Sequence, residues 1–188
     1  MESILTPKDR EDFYIRLYFN TKDFERAGLK RAYLDFNRTL KIPENTSAEQ
    51  RDEKKKKTKD FLRNELLILI KSDISSQEDF DEKHRDICAR LIEQWDELTY
   101  GQAQKWINMT LKYWLLFGNE RISEIEKNAK YFHLPVDSIV QKAFFSKSLP
   151  AWSKISSYED YFWYQKIFRE QNPNKIPIVE EFRAFNSN

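Results

Sequence analysis

Four polar side chains, Gln104, Lys105, Asn108 and Lys112, interrupt a largely apolar helix-forming segment running from Thr99 to Phe117. On a helical wheel, Ala103, Trp106, Ile107, Met109, Leu111, Tyr113, Trp114 and Phe117 cover roughly 200° of the surface, and the four polar residues share a strip of roughly 100°. An ordinary surface helix divides the other way, so this segment reads as a helix through the middle of its domain. Spacings of one, three and four set the donors and acceptors of the strip on adjoining patches. There they could line a groove for a phosphate, a peptide carboxylate or a partner helix, which makes them the candidate ligand- or partner-binding residues. The competing expectation is a hydrated edge, or pairing with the acids Glu93, Asp96 or Glu97.

Other reactive side chains give less. His84 and Cys88 lie four apart on one helical face, and a thiolate beside an imidazole is a usual nucleophile pairing. Catalytic Cys and His normally come from different elements, so the pair reads as a small apolar thiol below an exposed histidine, and no catalytic residue is assigned. There is no Cys-x-x-Cys and no His-Glu-x-x-His, and neither His84 nor His133 has a Glu three residues earlier. No metal ligand and no cofactor follow from such a pattern. Glycine-rich phosphate loops are missing as well.

The elements that would position these residues are helices. Glycine is scarce at 3, and neither hairpin turns nor sustained alternation occur. Cap signals recur instead: Thr6 with Pro7 and Asp9, Thr46 with Glu49, Ser75 with Glu78, Thr99 with Gln102, and Ser156 with Glu159. The spacing predicts helices near 7–20, 22–41, 47–71, 76–97, 100–117, 122–133, 136–145, 157–171 and 178–185. The expected fold is therefore all-α, a single domain over 1–188 of about eight or nine helices wrapped around the helix 99–117. Short connections predict that sequence neighbours pack together. The run from Arg51 to Lys59 is almost entirely charged and reads as a solvated first half of a long helix.

Composition narrows the partners. Residues 1–94 hold 20 basic and 20 acidic side chains, and the remainder 12 and 11, so neither half carries an excess. That balance disfavours a strongly basic nucleic-acid protein and a polybasic membrane binder. One cysteine cannot form an internal disulfide, the N-terminus lacks a signal-peptide pattern, and the longest apolar run, Leu66 to Ile70, is too short to span a bilayer. The chain reads as cytoplasmic, without a membrane partner.

Two further segments carry alternative readings. Ile122 to Phe145 looks like a helix-turn-helix, with Ala129 at the crossing and Phe132, Leu134 and Ile139 as the contacts between helices. Its second helix would present Asp137, Ser138, Gln141 and Lys142 to nucleic acid, although His133, Asn128 and Lys142 depart from the usual pattern and Asp137 sets a negative charge beside any phosphate. The aromatic set Trp152, Tyr158, Tyr161, Phe162, Trp163, Tyr164 and Phe168 could stack bases, but Tyr161, Phe162, Gln165 and Phe168 share the helical spacing of a core. A member left exposed would be a partner hot spot.

Two resemblances attach to quoted residues. Arg63-Asn64 resembles the start of the Arg-then-His signature of HEPN-type ribonucleases, but Glu65 to Ile70 contain no histidine, so the activity does not carry over. Gly101-Gln-Ala-Gln-Lys-Trp-Ile-Asn-Met-Thr-Leu-Lys-Tyr113 resembles a segment of uncharacterised bacterial helical proteins, a likeness that extends to the region of His133 and Tyr161. It implies a bacterial or phage origin and transfers no functional residue. The leading functional expectation is a non-catalytic intracellular binding or adaptor protein with a protein partner. Behind it stand a nucleic-acid binder using the 122–145 pair with Lys54 to Lys57, and an enzyme without a short motif using Lys105, Asn108 or His133.

Overall fold

Thr99 begins the helix on which the rest of the molecule is assembled. Its hydroxyl accepts from the Gln102 amide at 3.2 Å, and the Gln102 side chain reaches back to the Thr99 amide at 2.9 Å, a capping box. In the computed structural model, which describes residues 4–145 and 149–187, this helix is α5, Tyr100–Phe117. The others are α1 Pro7–Phe19, α2 Phe24–Leu34, α3 Ala48–Lys71, α4 Gln77–Gln94, α6 Ser138–Phe144, α7 Tyr158–Gln171 and α8 Pro177–Asn186. Among the described residues there is no strand, and no helix is long and apolar enough to cross a membrane.

The all-α class and the central place of the helix 99–117 stand. Gln104, Lys105, Asn108 and Lys112 are all buried along with its apolar residues, so α5 has almost no face in water. It packs against α2, α3, α4 and α7. Sequence neighbours do pack, α3 with α4 and α4 with α5, but the largest partner of α5 is α2, more than 65 residues upstream. The joint has a physical basis in two indoles. Trp106 Nε1 donates to the Leu29 carbonyl at 3.2 Å and Trp114 Nε1 to the Glu25 carbonyl at 3.0 Å. Gly28 lies between those carbonyls, and a Cβ there would come within 2.6 Å of the Trp114 ring. The missing side chain lets the two helices close.

Several boundaries move. The helix expected over 22–41 stops at Leu34, because Phe36 turns into the core and Thr39 is taken up by Gln102, whose Nε2 donates to its carbonyl at 2.9 Å and its hydroxyl at 3.0 Å. The helix expected over 76–97 ends at Gln94, where Trp95 leaves the helical backbone and is buried. Caps at Thr46, Ser75 and Ser156 are corrected by one residue to Ser47, Ser76 and Ser157. In each case two adjacent residues carry hydroxyls, and the spacing alone does not choose between them. The charged run 51–59 lies within an unbroken α3. Its Thr58 is buried, and Lys54 reaches Asp96 and Glu97.

Candidate functional site

The four residues of the strip divide between two surroundings. Gln104 and Asn108 point into a sealed polar chain whose hydrogen positions are fixed by the backbone. Gln104 Nε2 donates to the carbonyls of Gly101 at 2.9 Å and Val136 at 2.7 Å, so its Oε1 faces the Val136 amide at 3.1 Å. The Asn108 atom 3.1 Å from that oxygen must then be the nitrogen, which also donates to the Tyr161 hydroxyl at 2.8 Å. Tyr161 passes its own hydrogen to His133 Nδ1 at 2.8 Å, and His133 Nε2 donates to Asp81 at 2.7 Å. Asp81 closes the chain against Arg169 through two bonds of 2.8 and 3.0 Å. On the other branch, Asn108 Oδ1 accepts from His84 Nε2 at 3.0 Å. Each of these groups thus has a partner of the correct kind, as burial requires, except the Arg169 Nε, which is buried without one.

Electrostatics agrees with two neutral imidazoles. Burial pushes His133 down to about 4 and His84 well below the ordinary imidazole range, and their rings lie 4.3 Å apart between centroids. Burial acts to raise the Asp81 carboxyl, but the bonds from His133 and Arg169 prevail and hold it well below the usual carboxylate range. The sequence reading of an exposed histidine above Cys88 is corrected: His84 has no exposed surface. It sits on the Phe80, Ile87, Cys88 and Leu91 face of α4, and that apolar periodicity was the available signal for its burial. Burial also pushes the Cys88 thiol well above its ordinary value, which keeps it protonated and poorly nucleophilic. Asp81, Tyr158, Tyr161 and Arg169 were missed as partners, because they arrive from other elements.

Lys105 and Lys112 face the other way, onto a cleft of about 530 Å³ between α5 and α8. Their partners are not the acids expected from sequence. Lys105 pairs with Asp137, and Lys112 with Glu181, whose two oxygens lie 2.7 and 2.5 Å from the ammonium. Glu93 has no place in either pair, and Asp96 and Glu97 serve Lys54. The cleft floor follows Lys105, Met109, Lys112 and Leu116 along α5, a stripe spaced four, three and four. Phe182 and Phe185 of α8 form one wall, both within 5 Å of the Lys112 ammonium as measured to their ring centres. A second hollow of about 740 Å³ runs along α1 and shares Tyr18 and Leu116 with the first. Leu17 there is 70% exposed, and Tyr14, Leu116 and Phe185 are also open to solvent.

The helix pair at 122–145 is corrected. Residues 122–128 are successive turns, followed by a 3-10 turn at Ala129–Tyr131, and only α6 is helical. Glu124 has φ of 64°, and the Asn119 side chain holds the Glu126 amide at 3.2 Å, both incompatible with a helix starting at Ile122. Asn128 is polar because its buried Nδ2 donates to the carbonyls of Ile70 at 3.1 Å and Ser72 at 2.9 Å, closing the end of α3. Ser138 and Lys142 are exposed on the short α6, and Gln141 is engaged by the Pro150 carbonyl and the Tyr164 hydroxyl, each at 2.9 Å. Of the aromatic set, Tyr158, Tyr161, Tyr164 and Phe168 are buried, and Trp163 is the member left 43% exposed.

No family model, no curated protein and no solved structure matches the chain.

Proposed function

We propose that this chain is a non-catalytic binding protein that receives an amphipathic helix of a partner protein in the groove formed by α1, α5 and α8. The observation that carries this reading is the union of the two hollows through Tyr18 and Leu116. From Lys105 to Leu116 the floor alone extends about 16 Å at the helical rise, and the α1 hollow lengthens it. That is more than a small ligand needs and suits several turns of helix carrying apolar residues at three- and four-residue intervals. Tyr14, Leu17, Leu116 and Phe185 supply apolar surface that the described residues leave uncovered. The ionic groups at the groove, Lys105 with Asp137, Lys112 with Glu181 and Arg31 with Asp35, balance in sign. A neutral or mixed-charge helix matches them better than a polyanion.

The test is a displayed library of helical peptides selected on the immobilised protein, followed by titration of the selected peptides. The expected result is apolar residues at helical spacing, with affinity reduced about tenfold or more by Leu17→Asp combined with Leu116→Asp. Ile68→Asp, at an exposed apolar position on α3, should leave affinity unchanged. Peptides indifferent to the Leu17/Leu116 variant would overturn the reading. So would a homodimer dissociated by the same variant, which would make the face a contact between copies of the chain.

A further inference from the structure

A second concavity, of about 250 Å³, lies between α2 and α3 on a part of the surface that the groove does not use. Arg26 and Lys30 approach it from α2, and Lys55, Lys56, Lys59 and Arg63 from α3, with Leu29 apolar between them. Among the described residues Asp60 is the one carboxylate that lines it, and it lies 3.7 Å from Arg26. In a chain whose formal net charge is +1, six cations on one small hollow are a marked local excess.

The sequence reading of the run 51–59 as a solvated face explains only part of this. Lys54 and Lys57 are accounted for by Asp96, Glu97 and Glu53, and on the hollow itself Arg26, Lys55 and Arg63 have carboxylates in Asp23, Asp52 and Glu25. Lys30, Lys56 and Lys59 form no ion pair among the described residues. Lys59 is also not a freely hydrated side chain. Its ammonium lies 5.0 Å from the centre of the buried Tyr33 ring, beside that of Lys55 at 5.8 Å. Burial, followed by the charges of Lys55 and Lys30, pushes Lys59 down to about 8. Like charges brought together and partly dehydrated raise the free energy of the empty site, and an anion relieves that cost.

We propose that the hollow between α2 and α3 binds a compact oligophosphate, the di- or triphosphate of a small molecule or the inorganic chain itself, with Lys30, Lys56 and Lys59 as its principal contacts. Several negative charges within one small volume match cations gathered around one small hollow. A nucleic-acid backbone needs cations arrayed along a track, and toward its N-terminus α3 sets the carboxylates Asp52 and Glu53 after Arg51. Arg26 and Arg63 stand at the rim, where a phosphate oxygen competes with Asp23 and Glu25 for their donors.

The experiment is calorimetric titration of the full chain with inorganic triphosphate, a nucleoside triphosphate and a duplex oligonucleotide. It is run at about 50 and about 200 mM salt, alongside NMR titration of the Lys59 side chain. Expected are saturable one-to-one binding of inorganic triphosphate, weakening with salt, and a Lys59 midpoint that rises into the ordinary lysine range when triphosphate is bound. Lys30→Gln combined with Lys59→Gln, both side chains reaching solvent, should cut affinity by about tenfold or more. The exposed control Lys166→Gln should not. Equal binding of the two triphosphates assigns the site to the phosphate chain alone, and tighter binding of the nucleoside form adds the base and sugar to it. No binding at the lower salt, or binding untouched by the double variant, would overturn the proposal. Preference for the duplex over triphosphate would replace it with a nucleic-acid surface.

Discussion

The side-chain oxygen of Asn108 lies 3.0 Å from Nε2 of His84, and this fixes the tautomer of a histidine that no solvent reaches. Because Asn108 Nδ2 is already given to Gln104 and Tyr161, the oxygen accepts, and His84 carries its hydrogen on Nε2. Long-range proton–nitrogen NMR should therefore show His84 and His133 both neutral at pH 7, each with its hydrogen on Nε2. Asn108→Leu removes the acceptor and leaves the His84 N–H and the Gln104 oxygen short of partners. The expected loss in urea denaturation is about 2–4 kcal/mol, from orphaned buried groups. A change below about 0.5 kcal/mol, within the usual range for substitutions away from such groups, would refute the network as drawn.

Acid should loosen the fold through the same histidines. His133 has a folded value of about 4 against an ordinary 6.5, so the folded state prefers the neutral ring. Its contribution is fully present above pH 6.5 and disappears as pH falls from there toward 4, because the unfolded chain takes up the proton first. The size is on the order of 3 kcal/mol, and His84 adds in the same direction. Denaturation midpoints should hold between pH 7.5 and 6.5 and fall from there to pH 4.5, more gently in His133→Gln. Equal slopes for both proteins would contradict this account.

Gly101 should prove less replaceable than Gly118. A Cβ on Gly101 would meet the Trp152 carbonyl oxygen at 1.9 Å, and the Gly101 amide also donates to the Ile155 carbonyl at 3.1 Å. Backbone therefore presses on backbone, and Gly101→Ala must push the 3-10 turn at Trp152–Lys154 off α5. The expected cost is about 3 kcal/mol or more, with the tail of measured single-site effects as the guide. Gly118 has open space around it, so Gly118→Ala meets no neighbour and should cost only the backbone strain of φ 71° with ψ 173°, about 1–3 kcal/mol. Thermal melts of the two variants decide the order.

The Lys112–Glu181 pair should show strong coupling between α5 and α8. Burial acts to raise the Glu181 carboxyl, with Lys112 opposing it, and both side chains are nearly inaccessible. Either Lys112→Met or Glu181→Leu leaves one buried charge alone, at about 3–5 kcal/mol. Replacing both should restore a large part of that loss. A double-mutant cycle by chemical denaturation measures the coupling, and additive losses would show that the pair is not a unit.

The helical class and most helix starts were legible in the sequence, since caps such as Thr6 and Thr99 act through residues three positions away. The register of a cap between two adjacent hydroxyls was not. The segment 122–133 misled because its apolar spacing is real: Ile122 and Ile125 are buried, but within turns fastened by Asn119 and Asn128. The polar strip was visible as a strip, but its division was not. Gln104 and Asn108 belong with His84, His133 and Tyr161, whose positions depend on α4, on the segment after the 129–131 turn and on α7. Lys105 and Lys112 find their carboxylates 32 and 69 residues downstream. Local periodicity carries no information about which distant carboxylate arrives.

The two indole hydrogen bonds between α5 and α2 join residues 77 and 89 apart in the chain. Closing so long a loop is the slow kind of step in folding, and here the central helix depends on it. With apolar residues on most of its circumference, α5 cannot be made soluble by its own sequence. Until α2 docks, Trp106 and Trp114 remain among the largest apolar groups in water. The Glu25 and Leu29 carbonyls are made long before their indole partners, so this joint closes only once α5 has followed α2 by more than 65 residues.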